Sequence, residues 1–225
     1  MIAYFDLDKT FIDGSSGTAW LRSEIRSGSL KWWDVLLGFV WLTLYHVFGV
    51  HVGEPMRAAV RRLAGRRAKD FQMMAERVYT SSVRGRARRG ALEALAEHRS
   101  KGHKVFLLSS SLNFIVDRVA EEYGFDGALS TQLEVGEDGL LTGNIVEPLC
   151  FGEGKVERAE SHLAEFGLGL RDCVFYSDSL SDLPLLVAAG LGVAVNPDVR
   201  LAGRARRLGV PVVDWGSAVL PPKEP

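Results

Sequence analysis

Asp6 and Asp8 stand two residues apart at the end of the apolar run Ile2 to Leu7. Two later runs close on polar residues in the same way: Val105 to Leu108 runs into Ser109-Ser110-Ser111, and Cys173 to Tyr176 into Ser177-Asp178-Ser179. If these runs are neighbouring parallel strands, Asp6, Asp8, Ser109 and Asp178 converge on the crevice at the strands' carboxyl ends, where open α/β sheets bind ligands. Three carboxylates in one crevice repel one another unless a divalent cation neutralises them, and hard oxygen donors suit Mg²⁺. Lys155, near the start of a helix after Gly152-Glu153-Gly154, adds a positive charge for an anionic ligand. The helix N-terminus itself favours anions.

The elements that must position these residues follow from periodicity and punctuation. Two weaker strands are expected at Gly192 to Val195 and Val210 to Asp214. Helical patterns lie between the strands at Ala91 to Ser100, Leu112 to Tyr123, Glu153 to Phe166 and Leu180 to Ala189, each followed by a glycine read as a C-terminal cap. Strands alternating with helices of this length predict an α/β fold, a Rossmann-like parallel sheet with helices on both faces. Thr131 to Val146 breaks the rhythm: Leu133, Val135, Leu141 and Ile145 flank Gly136-Glu137-Asp138-Gly139 as in a small β-hairpin, read as a flap on the core. Residues 14–89 read as consecutive helices inserted after the first strand, an all-helical cap domain. Residues 1–13 and 90–220 then form the core, and 221–225 a flexible tail.

Taken together, the motifs resemble the haloacid-dehalogenase-like phosphatases. Asp6-Leu7-Asp8-Lys9-Thr10 is similar to their first motif, Ser109 after an apolar strand to the second, Lys155 to the third, and Ser177-Asp178-Ser179-Leu180-Ser181-Asp182 to the acidic fourth. The helical insert resembles the cap of the phosphoserine-phosphatase-like branch. The resemblance implies a phosphatase in which Asp6 is the nucleophile, forming an aspartyl phosphate, and Asp8 the general acid and then base. It also implies Mg²⁺ held by the Asp6 carboxylate, the Asp8 backbone carbonyl and Asp178. Ser109, Lys155 and the Ser110 N–H would hold phosphoryl oxygens. Asp182 would act from behind, orienting Lys155 or a water at the metal, and Thr10 would support the first loop through a local bond or a direct role. Ser179 and Ser181 read as helix caps.

One departure bears on substrate. Phosphoserine phosphatases carry a glutamate for the substrate ammonium where this chain has Ser15, followed by Ser16. A site that has lost the partner of a buried amine rejects that amine, so a phosphate ester other than phosphoserine is expected, small or lipid-like. Ser181 in place of the usual asparagine is a milder change. Transfer of the phosphoryl group to an alcohol, or a non-enzymatic membrane- or RNA-binding module on this scaffold, are the alternatives.

Composition bounds the rest. With 225 residues, 47% apolar, the chain can bury one sizeable core. A net charge of −1 excludes a uniformly polycationic nucleic-acid binder, yet residues 57–89 carry eleven bases against Asp70 and Glu76, a local +9. Met56, Val60, Leu63, Phe71, Met74 and Val78 recur there at near-helical spacing, so a basic face over an apolar stripe is the simplest reading, and an anionic membrane surface the sharper one. Val35 to Val50 is an apolar run of sixteen residues, short of the roughly 20 that span a bilayer. A crossing there would also part Asp6 from Asp178. A buried helix, an interfacial helix or lipid-chain groove, and a dimer interface stay open for it. Cys150 and Cys173 are too few for a disulfide framework, the five histidines show no metal-ligand spacing, and no export signal is legible. A cytoplasmic location is expected, with peripheral contact at the membrane's inner face through the insert as an addition. The partner is a phosphorylated substrate, without nucleic acid.

Overall fold

A computed structural model of the chain describes residues 1–26 and 53–218. The expectations for Val35 to Val50 and for the tail therefore lie outside the described residues. Strand β1 (Ile2–Phe5) is buried along its whole length. Ala3 and Phe5 pack into one apolar cluster and Ile2 and Tyr4 into another, so both faces of the strand are covered, as in the middle of a parallel sheet.

β1 pairs in parallel with β2 (Lys104–Leu112) on one side and β5 (Cys173–Ser177) on the other. Beyond β2 lies β3 (Gly127–Val135), also parallel, and beyond β5 lie β6 (Leu191–Val195) and β7 (Val212–Val213). β4 (Leu141–Val146) pairs antiparallel with β3, giving the order β4-β3-β2-β1-β5-β6-β7. The chain builds outward from β1 in both directions, so the switch point that opens a crevice sits at β1's carboxyl end. One face is covered by α4 (Arg89–Ser100) and α5 (Asn113–Tyr123) through Ala91, Leu95, Ile115, Val116 and Val119. The other is covered by α6 (Glu153–Ala164), α7 (Leu183–Ala188) and α8 (Val199–Leu208) through Ala159, Leu163, Leu185, Leu186, Leu201 and Ala205.

The described part of the insert is helical: α1 (Ser16–Arg26), α2 (Gly53–Arg61) and α3 (Ala68–Val78), continued by a wider π turn over Tyr79–Val83. None of the described helices is long and apolar enough to cross a membrane. Val60, Phe71 and Val78 of the apolar stripe are buried. Several of the segment's bases reach acids: Arg57 meets Glu147 at 2.8 Å, Arg61 Glu54, Arg66 Glu24, Arg84 Glu122, Arg88 Asp13 and Arg89 Glu93.

The hairpin is not a separate flap. Its first strand is built into the sheet, and Leu133, Leu141 and Ile145 form a third apolar cluster with Val60 and Phe71 of the insert. Three backbone bonds stitch the two together: Gly65 N–H to Leu141 O (2.8 Å), Leu141 N–H to Arg66 O (2.8 Å) and Ala68 N–H to Gly139 O (3.0 Å).

Elsewhere the boundaries move for local reasons. β2 runs on through Ser109–Leu112, with a register shift against β3, so the serines belong to the strand's end. β7 is only two residues, because Pro211 just before it has no N–H to give a ladder. Gly124 takes the left-handed conformation that closes a helix (φ 68°). Gly190 does not; a Cβ there would meet the Arg171 carbonyl at 2.1 Å, so glycine serves close packing, not capping.

Two buried histidines join the layers. His162 Nδ1 lies 2.7 Å from the Tyr4 hydroxyl, and His98 lies 2.9 Å from both His103 Nδ1 and the Tyr176 hydroxyl. Burial lowers both pKa values, opposed at His162 by Glu165 and reinforced at His98 by His103. Folding therefore favours the neutral rings, and the stability they contribute is present above the ordinary histidine pKa and lost as pH falls below it. The melting temperature is expected to fall between about pH 7.5 and about pH 5.5, and less steeply in His162→Gln. A wild-type melting temperature that is flat over that window contradicts the assignment.

Candidate active site

The loop after β1 turns back on itself at once. Asp6 N–H donates to Tyr176 O (2.9 Å), holding it beside β5, while the Asp6 and Leu7 carbonyls accept from Phe11 N–H (3.1 Å) and Ile12 N–H (3.0 Å). Lys9 sits between them at φ 59°, a left-handed conformation uncommon outside glycine, asparagine and aspartate. The tight reversal sends the two carboxylates different ways.

Asp6 is buried and faces Lys155, whose Nζ donates to its Oδ1 at 2.8 Å. The same Nζ donates to Asp182 Oδ2 at 2.6 Å, and Ser177 Oγ donates to that oxygen at 2.7 Å. Lys155 reaches this position because α6 begins tightly. Gly152 is in a left-handed conformation, and a Cβ on Gly154 would stand 1.9 Å from the Leu149 carbonyl. Burial opposes the lysine's charge, but the carboxylates of Asp182 and Asp6 outweigh it and hold its pKa above the usual value. The Asp6 carboxyl is pushed up, by burial first; Lys155 pulls it back, while Asp182 and Asp178 add to the rise.

Asp178, two residues past the β5 residue that pairs with Phe5, is held by Thr10: its N–H donates to Thr10 Oγ1 (2.9 Å), which donates to Asp178 Oδ1 (3.2 Å). Burial raises the Asp178 carboxyl to about 6, with Lys9 opposing and Asp182 adding. The Asp8 carboxylate turns toward the insert. Its Oδ1 accepts the Ser16 N–H (2.6 Å), and its Oδ2 accepts the hydroxyls of Ser16 (3.0 Å) and Ser111 (2.9 Å). Ser109 is buried, with its Oγ accepting from Ser111 N–H (3.2 Å), and the Ser110 carbonyl accepts from Thr131 Oγ1 (2.9 Å).

The structure thus joins Asp6, Lys155 and Asp182 by direct contacts and links Thr10 to Asp178. Among the described residues no three His, Cys, Asp or Glu side chains group as a metal site, and the Asp8 side chain is engaged with Ser16 and Ser111. Ser15 caps α1 by accepting from Thr18 N–H (3.3 Å), and Ser179 caps the short turn Leu180–Asp182. Sequence reasoning missed three contributors, Ser16, Ser111 and Ser177. For Ser177 a signal existed, since strand alternation sends it to the side opposite Asp178. Burial raises the Cys150 thiol to about 12 and that of Cys173 to about 11, so both stay protonated.

Residues 3–187 match the model of the haloacid dehalogenase-like hydrolases. The chain is 32% identical over 230 residues to a histidinol-phosphatase of Neisseria meningitidis serogroup C, covering 95% of this chain and 98% of that one. It is 31% identical over 218 residues to a phosphoserine phosphatase of Mycobacterium tuberculosis, covering 95% and 70% respectively. A solved protein of unknown function from Bordetella pertussis Tohama I superposes with a TM-score of 0.84 at 26% identity, covering 96% of this chain and 98% of its own. With acids and a lysine gathered where the central strands end, the chain belongs to the haloacid dehalogenase-like hydrolase family, among its phosphoserine-phosphatase-like phosphatases.

Proposed function

We propose that the protein hydrolyses a phosphomonoester through an aspartyl phosphate on Asp6, with a substrate that is small or lipid-like and other than phosphoserine. The observation that carries this reading is the buried contact of Lys155 with both Asp6 and Asp182, at a crevice whose second acid, Asp8, is separately held.

Hydrolases of this family generally use Mg²⁺. The residues fit it: the donors are all oxygen, the kind a hard divalent cation takes. The Asp6 and Asp178 carboxylates and the Asp8 carbonyl would hold the ion, which when bound screens charge on the transferring group.

The rest falls to the chain's own residues. A carboxylate oxygen of Asp6 attacks phosphorus as the bond to the leaving oxygen breaks, and Asp8 gives that oxygen its proton. Asp8 then takes a proton from water, which attacks the aspartyl phosphate, releasing inorganic phosphate and restoring Asp6. Lys155, Ser109 and the Ser110 N–H hold the phosphoryl oxygens through both displacements.

For the leaving group, two partly buried rings, Trp20 four residues beyond Ser16 and Phe114 three beyond Ser111, support an apolar or aromatic moiety. Trp20, one turn beyond Ser16, stacks on Phe71 at 5.8 Å, and Phe71 meets Phe114 at 5.9 Å. Ser15 caps α1 and carries no carboxylate, so the partner that an amino acid's ammonium needs is missing at that position. The test is a panel with Mg²⁺ and with EDTA: aryl phosphates, histidinol phosphate, lysophosphatidate, phosphoserine and 3-phosphoglycerate. Turnover only with Mg²⁺, with kcat/KM for an apolar or aromatic ester at least about 10-fold above phosphoserine, is expected. Preference for phosphoserine overturns the substrate reading, and EDTA-resistant turnover overturns the metal. Alcohol phosphates appearing when an alcohol is added would instead identify a transferase.

A further inference from the structure

The two oxygens of Asp8 accept three donors from two different parts of the chain. Ser16 opens α1, the first helix of the insert, and supplies its N–H and hydroxyl, while Ser111 lies near the end of β2 in the core sheet. The two hydroxyls are themselves 2.8 Å apart, so helix, strand and carboxylate meet at one point. Ser16 is only 1% exposed, which means that this contact is made inside the junction between insert and core. Donors approaching both oxygens fix the plane of a carboxyl group whose side-chain torsions would otherwise be free, and Oδ1, which accepts one of the three, keeps a lone pair for a proton.

We infer that Ser16 and Ser111 are positioning residues that set the direction in which Asp8 presents its proton to the leaving oxygen. The inference rests on the proposed role of Asp8 and extends it. Because Ser16 belongs to the insert, seating α1 against the core completes the proton-transfer geometry. A group displaced by about 1 Å loses up to about 100-fold in rate, and proton transfer itself contributes about 10² to 10⁴. The loss should fall on leaving groups that need the proton.

The experiment compares Ser16→Ala, Ser111→Ala and Ser111→Thr with wild type and Asp8→Asn. It reads kcat/KM, which reports the first displacement, across esters from p-nitrophenyl to simple alkyl phosphates, and monitors thermal unfolding to show that each variant is folded. In the alanine variants the alkyl esters are expected to lose at least about 10-fold more than p-nitrophenyl phosphate, and threonine at 111 should recover most of that difference. A loss uniform across leaving groups, or none, in the serine variants overturns the inference if Asp8→Asn does show the dependence. If Asp8→Asn shows none, the general-acid reading falls and the inference falls with it.

Discussion

Asp6→Asn is expected to cut phosphate release from p-nitrophenyl phosphate by at least about 10⁴-fold, the scale on which removing a covalent nucleophile acts. It should do so without unfolding the protein. The side chain it replaces is buried, and burial is the largest influence on its carboxyl, in the direction that disfavours charge. Asparagine keeps the shape and an acceptor oxygen for Lys155, while Lys155 retains the 2.6 Å bond to Asp182. Two carboxylates share the one ammonium, so trading the Asp6 charge for an amide removes the excess buried negative charge and leaves a balanced Lys155–Asp182 pair. The melting temperature should therefore equal or exceed that of wild type. A phosphate-release assay paired with thermal unfolding decides it: turnover within about 10-fold of wild type sinks the nucleophile, whatever the melting curve shows.

Lys155→Met is expected to fail in the opposite manner, through stability as well as activity. The ammonium stands between two buried carboxylates at 2.8 and 2.6 Å, and its removal leaves Asp6 and Asp182 facing each other without a cation. Breaking a buried pair by removing one partner costs about 3–5 kcal/mol. For a chain of this size each kcal/mol moves the melting temperature by about 2–4 °C, so a drop of roughly 10 °C is expected. Adding Asp182→Asn removes one of the stranded charges and should recover part of the loss in stability, but none of the activity. Thermal unfolding of the two variants gives the answer: a single variant as stable as wild type, or a double variant no better than the single, contradicts the ion triad.

Both variants concern residues that local pattern in the sequence singles out. An apolar run followed by acids marks a buried strand ending at a crevice, and that signal is complete within a few residues for Asp6, Ser109 and Asp178. That the strands run parallel also follows from their alternation with helices, but their order does not. What was not legible depends on meetings between distant segments. Nothing near Ser16 or Ser111 in the sequence announces that they share Asp8, since 95 residues separate them. Likewise Gly190 reads as a helix cap because caps are the common use of glycine there, whereas its need comes from the Arg171 carbonyl across a strand junction. The hairpin shows a third kind of miss: its turn and alternation were clear, but its place in the sheet was fixed by β2, which lies outside its own sequence.

The stitching of that hairpin to the insert bears on how such a protein can change over evolution. β4 is an outermost strand, and an outermost strand offers unpaired backbone groups to any passing chain. Here the groups at its start, around Leu141, are taken by residues 65–66, and Leu141 and Ile145 are roofed by Val60 and Phe71. The insert is thus not an interchangeable module. A lineage that exchanged its helices to reach a new substrate would expose a sticky border unless β3–β4 changed in step, so the helices and the hairpin would have to change together.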